Sequence, residues 1–263
     1  MSAPIPIAPW RRAWLYAVVA STLAFLVLPT FIVVPLSFSD SQFLEFPPRR
    51  WSLRWYENYF GTPEWMAATR VSLTAALLTT LVATPLGTAA AYCINLVQPR
   101  LSKLLQMFLL LPMVVPVILI GIGIFYVYIQ LGLVNTMLGV VLSHALLALP
   151  FVVVTVLAGL QTFDMRQEQV ARSLGAPRPS AFLRVTLPQI RASVISAALF
   201  SFIISLDEVV IGLFIAGGSR TVLTRKMFLG LRDSIDPTIA AISTLFIAVA
   251  LIVLLCAAVL RKE

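Results

Sequence analysis

LLQMFLLLPMVVPVILIGIGIFYVYIQLGLVNTMLGVVLSHALLALPFVVVTVLAGLQTF, residues 104–163, contains not one Asp, Glu, Lys or Arg. A bilayer core about 30 Å thick takes roughly 20 apolar residues per helix, so this stretch holds two spans. Its break falls at Gly132-Leu133-Val134-Asn135-Thr136, where Gly and Asn favour a turn. Working outward, Ala13 to Phe38, Val71 to Gln98 and Pro237 to Leu260 are each one span long, and Ala192 to Ala216 is another, interrupted by Asp207-Glu208. The pattern predicts an all-α membrane protein with six transmembrane helices at about 13–38, 68–97, 104–130, 136–161, 191–216 and 237–260. With no internal repeat and no linker rich in Pro, Gly or Ser, residues 1–263 read as a single domain.

Composition points the same way. Hydrophobic residues make up 60% and charged residues 11% of the chain, against about 25% charged in an ordinary soluble domain. The net charge of +8 comes without a basic stripe of interleaved aromatics, so nucleic acid is not an expected partner. Arg11-Arg12 precede the first apolar run, which is about twice the length of a signal-peptide core and lacks an Ala-x-Ala site; it is expected to be a retained anchor. Cys93 and Cys256 both fall inside predicted spans and are read as small apolar residues rather than a disulfide.

Six spans put both termini on one side. Arg11, Arg12, Arg100, Lys103, Arg166, Arg172, Arg178, Arg184, Arg191, Arg261 and Lys262 lie on that side, eleven of the 19 basic residues, and eight lie opposite. Excess positive charge stays cytoplasmic, so the N- and C-termini are expected in the cytoplasm. Trp51, Trp55, Tyr56, Tyr59 and Trp65 then occupy a periplasmic loop and suit the bilayer interface. In the second span Ala75, Thr79, Ala83, Gly87 and Ala91 recur every fourth residue, a small-residue face that lets another helix approach closely. Pro85, Pro112, Pro116 and Pro150 sit within or beside spans as candidate kinks.

The loop at 162–190 is far more polar than its surroundings. Asp164 with Gln167 three residues on predicts a capped helix running to Leu174, which Gly175 ends in a left-handed conformation. Pro179 suits the first turn of a second short helix over Ser180–Thr186, which Pro188 stops.

Gln169-Val170-Ala171, Gly175, Val185 and Leu187-Pro188 keep the spacing E-A-A-x3-G-x9-I-x-L-P and so resemble the EAA loop of ABC-importer permeases. Gln169 stands where Glu is usual and Val170 where the first Ala is usual; Glu168 is one place out of register. Without the distant Leu187-Pro188 match, Gly175 reads as an ordinary helix cap and the five arginines from Arg166 to Arg191 as topology determinants. The resemblance covers nearly the whole chain. Through Ser143-His144, Leu149 to Thr155 and Ser205 to Val210 it is most similar to the second membrane subunit of spermidine/putrescine-type importers.

The resemblance implies a type I ABC-importer permease fold in the bacterial inner membrane, with Glu168, Gln169, Ala171, Arg172, Gly175, Ala176, Arg178, Leu187 and Pro188 coupling to an ATP-binding subunit. It also implies a second, homologous permease subunit and a periplasmic solute-binding protein as partners. ATP and Mg belong to the partner chain, and no cofactor to this one. The solute expected is a polyamine or similar organic cation, moved from periplasm to cytoplasm.

Asp207 and Glu208 are the informative charges, because an ionisable group inside a span costs several kcal/mol unless it faces water or a partner. Asp207 lies roughly 24 Å along the helix from Arg191, at 1.5 Å per residue. Neighbouring residues point about 100° apart, so the two carboxylates cannot share a direction. Asp207 is the stronger candidate for lining a cavity that attracts amines; the competing reading is a structural pair or an early helix exit. His144, the only histidine, has no carboxylate or metal-ligand neighbours in sequence and reads as a buried hydrogen-bonding residue.

Neither G-x-x-x-x-G-K-[ST] nor G-x-S-x-G occurs, and one His precludes H-E-x-x-H, so no catalytic or metal site is expected. The alternatives are a secondary transporter, which typically shows repeats, and an intramembrane enzyme using Ser143 and His144, adjacent residues that project in different directions.

Overall fold

The computed structural model describes residues 13–260, with side chains described for 14–249 and 251. Arg11, Arg12, Arg261, Lys262 and the Cys256 side chain lie outside the described residues. The chain forms two compact units, one of residues 1–63 with 229–263 and one of residues 64–228.

In the first unit, α1 (Ala13–Ser37) and α2 (Arg54–Gly61) both pack on α13 (Thr238–Leu260). Asn58 Nδ2 donates to Thr238 Oγ1 at 2.8 Å, and the Ser37 and Tyr56 hydroxyls meet at 2.7 Å. These polar ties join α2 to the ends of α1 and α13.

The second unit is built around α6 (Met137–Thr162), which packs against α4 (Pro99–Val114) and most extensively against α10 (Arg191–Asp207). Ala75, Thr79, Ala83, Gly87 and Ala91 of α3 (Pro63–Leu96) are all buried. A Cβ on Gly87 would stand 2.5 Å from Val152 Cγ1. The spacing of small residues in sequence therefore corresponds to a helix contact with no room for a side chain at its centre. Two apolar clusters result, one around Ala83, Ala148, Val152 and Val156, the other around Val71, Val140, Ile211 and Ile215.

The helix expected over 104–130 is in fact two, α4 and α5 (Val117–Leu131), which meet at 97°. Val115 precedes Pro116 and is extended (ψ 131°), the conformation that the proline ring favours in the residue before it. Pro85 and Pro150, by contrast, lie inside continuous helices. The helix expected over 191–216 is likewise broken: α10 ends at Asp207, and α11 (Val210–Ile215) packs on α5. Gly132 (φ +66°) and Asn135 (φ +61°) make the turn before α6, whose cap is Thr136 Oγ1 accepting from Gly139 N at 3.0 Å.

By length and composition α1, α3 and α6 can each cross a membrane. Counting α4 with α5, and the segments Arg178–Gln189 and Arg191–Asp207, as one bent span each brings the number among the described residues to five. Between α11 and α13 the chain forms α12 (Leu223–Asp233).

Candidate functional site: the polar loop and the Asp207 break

The polar segment folds as α7 (Arg166–Ser173), a tight turn, α8 (Arg178–Ala181), a π-helical stretch over Phe182–Thr186, and α9 (Leu187–Gln189). Asp164 Oδ1 accepts from Arg166 N at 3.0 Å, so the aspartate caps the loop entrance, while the helix itself starts two residues later than its sequence signal. At the other end Gly175 has φ +95°, and two crossed bonds close the helix: Ala176 N to Ala171 O at 3.1 Å and Gly175 N to Arg172 O at 3.0 Å. That pattern is the Schellman motif, which requires a residue at ease with positive φ.

The second helix expected over Ser180–Thr186 begins earlier, at Arg178, and passes into a π turn in which Leu187 N reaches Phe182 O. Pro188 does not stop it; as the second residue of α9 it has no helical N–H partner to lose. The chain turns instead at Ile190, where the segments on either side meet at 82°.

This geometry sorts the loop residues. Gln169, Arg172, Gly175, Arg178 and Pro188 are exposed, and Ala171, Ala176 and Leu187 are half-buried. Leu174 is 84% exposed and Val170 is 59% exposed, placing two apolar side chains on the outside of a polar loop. Glu168 is the exception. It is 2% exposed, and its two carboxylate oxygens accept separately from the Tyr92 hydroxyl, near the end of α3, and from the Thr186 hydroxyl in the π stretch. Sequence reasoning missed Tyr92, Thr186 and Leu174; the first two lack any local signal, whereas an isolated Leu before a capping Gly was visible.

At the other site the two neighbouring acids take different roles. Glu208 is half-buried and its Oε1 accepts from Ile211 N at 2.7 Å, capping α11, while Thr224 Oγ1 donates to its carbonyl at 2.7 Å. Asp207 is exposed, and among the described residues it accepts no hydrogen bond and forms no ion pair. At its far end α11 is tied to the Gly132–Thr136 turn, with Gly217 N donating to Asn135 Oδ1 at 2.7 Å.

His144 is buried and its Nδ1 lies 2.8 Å from Ser205 Oγ. Ser143 Oγ instead donates to the Gly139 and Val140 carbonyls of its own helix, so the two do not form a nucleophile–base pair. Among the described residues no group of three or more His, Cys, Asp or Glu is placed to hold a metal ion.

Several helices long and apolar enough to cross a membrane, joined by a charged helix–turn–helix loop, define an integral membrane protein. The chain belongs to the family of binding-protein-dependent transport system inner membrane components, the permease subunits of ABC importers, whose family model matches residues 83–261. It is 28% identical to the spermidine/putrescine transport system permease protein PotC of Haemophilus influenzae, over 96% of this chain and 97% of the relative. It is 29% identical to the putrescine transport system permease protein PotI of Escherichia coli, over 93% and 88%. In fold it is similar to a chain of a bacterial ABC transporter involved in the import of the acidic polysaccharide alginate, with a TM-score of 0.74, 19% identity and 96% of each chain covered.

Proposed function

We propose that this permease carries a polyamine or similar small organic cation from periplasm to cytoplasm. In this reading six spans place both termini in the cytoplasm, the 162–190 loop docks on a separate ATP-binding subunit, and a second permease completes the path. A periplasmic binding protein delivers the solute. ATP and Mg bind to the partner, and the chain supplies no catalytic residue.

The observation that carries the coupling assignment is the exposed tip of the loop: Leu174 and Val170 present apolar surface beside Gln169, Arg172 and Arg178 on a turn closed by the two backbone bonds at Gly175. Apolar anchors ringed by polar groups are the usual composition of a protein contact. Solute class rests on the likeness to polyamine permeases together with Asp207, an exposed carboxylate without a partner among the described residues, at a break between two helices. A carboxylate in a partly desolvated path attracts an ammonium group more strongly than it does in water. An acidic polysaccharide importer shares the fold, so the architecture leaves the charge of the solute to such side chains.

The test is to purify the tagged chain from its own membranes in mild detergent and identify what accompanies it. An ATP-binding protein and a second permease are expected, with the ATP-binding protein lost from a Leu174→Glu variant. Recovery of the chain without any ATP-binding protein, together with transport that needs no ATP, would refute the reading.

A further inference from the structure

Glu168 lies in the loop proposed to dock on the ATP-binding subunit, yet it is buried and not presented to a partner. Burying a carboxylate is costly unless its oxygens are satisfied, and among the described residues no cation pairs with this one. Its two oxygens are held instead by two hydroxyls from distant parts of the chain, Tyr92 and Thr186. The three residues belong to three elements: the end of α3, the first turn of α7, and the π stretch that leads through α9 into α10.

Two further features converge on the same spot. The Tyr92 ring packs on Phe182, the first residue of the π stretch, with centroids 4.7 Å apart. The π stretch itself spans Phe182–Thr186 and ends on the residue that donates to Glu168. Such a widened turn is energetically poorer than an α-helix and is retained mostly where it aims a side chain that function needs.

We propose that Glu168 is a positioning residue that ties α7 to the membrane helix α3 and to the π stretch that leads into α10, so that a displacement of α7 by the ATP-binding subunit is delivered to α3 directly and to α10 through α9. Resting on the coupling assignment, this divides the loop into an outer surface that makes contact (Val170, Leu174, Arg178) and an inner bracket (Tyr92, Glu168, Thr186) that conveys the movement. A helix attached to the membrane helices only through its flanking chain would swing; one pinned by a carboxylate to both neighbours moves them.

The test uses the complete complex in lipid nanodiscs, with spermidine as the probe solute and the binding protein added at will. Tyr92→Phe keeps the ring against Phe182 and removes only the hydroxyl; Thr186→Val is nearly isosteric and does the same. In both variants the ATP-binding subunit is expected to stay bound, and ATP hydrolysis without binding protein to remain within about twofold of wild type. Stimulation by the loaded binding protein, and solute moved per ATP, are expected to fall about tenfold in the double variant, within the usual range of coupling between sites.

Unchanged stimulation and unchanged solute per ATP would overturn the proposal. So would loss of the ATP-binding subunit from Tyr92→Phe, which would mean that the bracket only maintains the loop's shape. Leu174→Glu distinguishes the underlying reading: if that variant keeps its ATP-binding subunit, the loop is not the docking surface and the bracket falls with it.

Discussion

His144 Nδ1 and Ser205 Oγ lie 2.8 Å apart across the α6–α10 contact, and Ser205 donates onward to Thr79 Oγ1 of α3 at 3.4 Å. One short relay of polar groups thus ties three helices together inside an apolar core. Ser205→Ala removes the hydroxyl that joins His144 to Thr79. Polar ties between membrane helices contribute about 1 kcal/mol, and a buried polar group that loses its partner costs about 1–3 kcal/mol. The expected result is a lower thermal midpoint for the purified protein in detergent; a midpoint equal to wild type would show that the relay contributes nothing.

Gly87 meets Val152 with no space for even a methyl group. Gly87→Leu is therefore expected to force α3 away from α6, at a cost of about 1–3 kcal/mol or more for overpacking. Expression and thermal stability should both drop, and Val152→Ala in the same chain should restore part of the loss. A Gly87→Leu protein as stable as its parent would mean that the two helices are not in this contact.

Gly175 holds φ +95°, which side-chain-bearing residues rarely adopt. Nothing lies within 4 Å of the position a Cβ would take, so the penalty of Gly175→Ala is conformational, about 1–2 kcal/mol. Because the strain is confined to the exposed turn, the folded membrane part should survive while recovery of the ATP-binding subunit declines. Gly175→Asn, more tolerant of this region, should be the milder variant, and co-purification yield measures both.

Asp207 and Glu208 are separable by their amide variants. Glu208→Gln retains an oxygen that can still accept from Ile211 N, so uptake is expected to stay within about threefold of wild type, ~0.6 kcal/mol. Asp207→Asn removes the charge proposed to face the path, and uptake of radiolabelled spermidine is expected to fall about tenfold or more, ~1.4 kcal/mol. Equal effects of the two changes, or none from Asp207→Asn, would remove Asp207 from the solute path.

Much of the architecture was legible in the sequence because it is written locally. Charge-free runs locate the long helices, since α1, α3, α6 and α13 span Ala13–Ser37, Pro63–Leu96, Met137–Thr162 and Thr238–Leu260, close to the apolar blocks. The Gly132–Asn135 turn and the Gly175 cap follow from what those residues do to the backbone. The small-residue repeat from Ala75 to Ala91 marks a contact face because four residues are nearly one helical turn.

The breaks were harder. Apolar composition continues unaltered through Val115-Pro116, and a proline between two apolar runs reads equally as a mild kink, as at Pro85, or as a 97° turn. Only the packing of α5 on α11 distinguishes them.

Within the loop the sequence by itself determined that a helix, a left-handed glycine and a second helix occur there, because capping residues and propensities act over a few positions. It could not determine which way Glu168 faces. That carboxylate looks like one more polar residue on a polar helix until Tyr92, 76 positions earlier, and Thr186, 18 positions later, arrive on either side of it. Asp207 and Glu208, equal in sequence, differ for a more local reason: the N–H that claims Glu208 lies only three residues on, and it is open to capping because the helix breaks at Glu208 instead of running through, a break that apolar composition did not mark. Helical period sets the angle between two side chains; what each angle meets depends on chain brought in from elsewhere, which is a property of the tertiary structure alone.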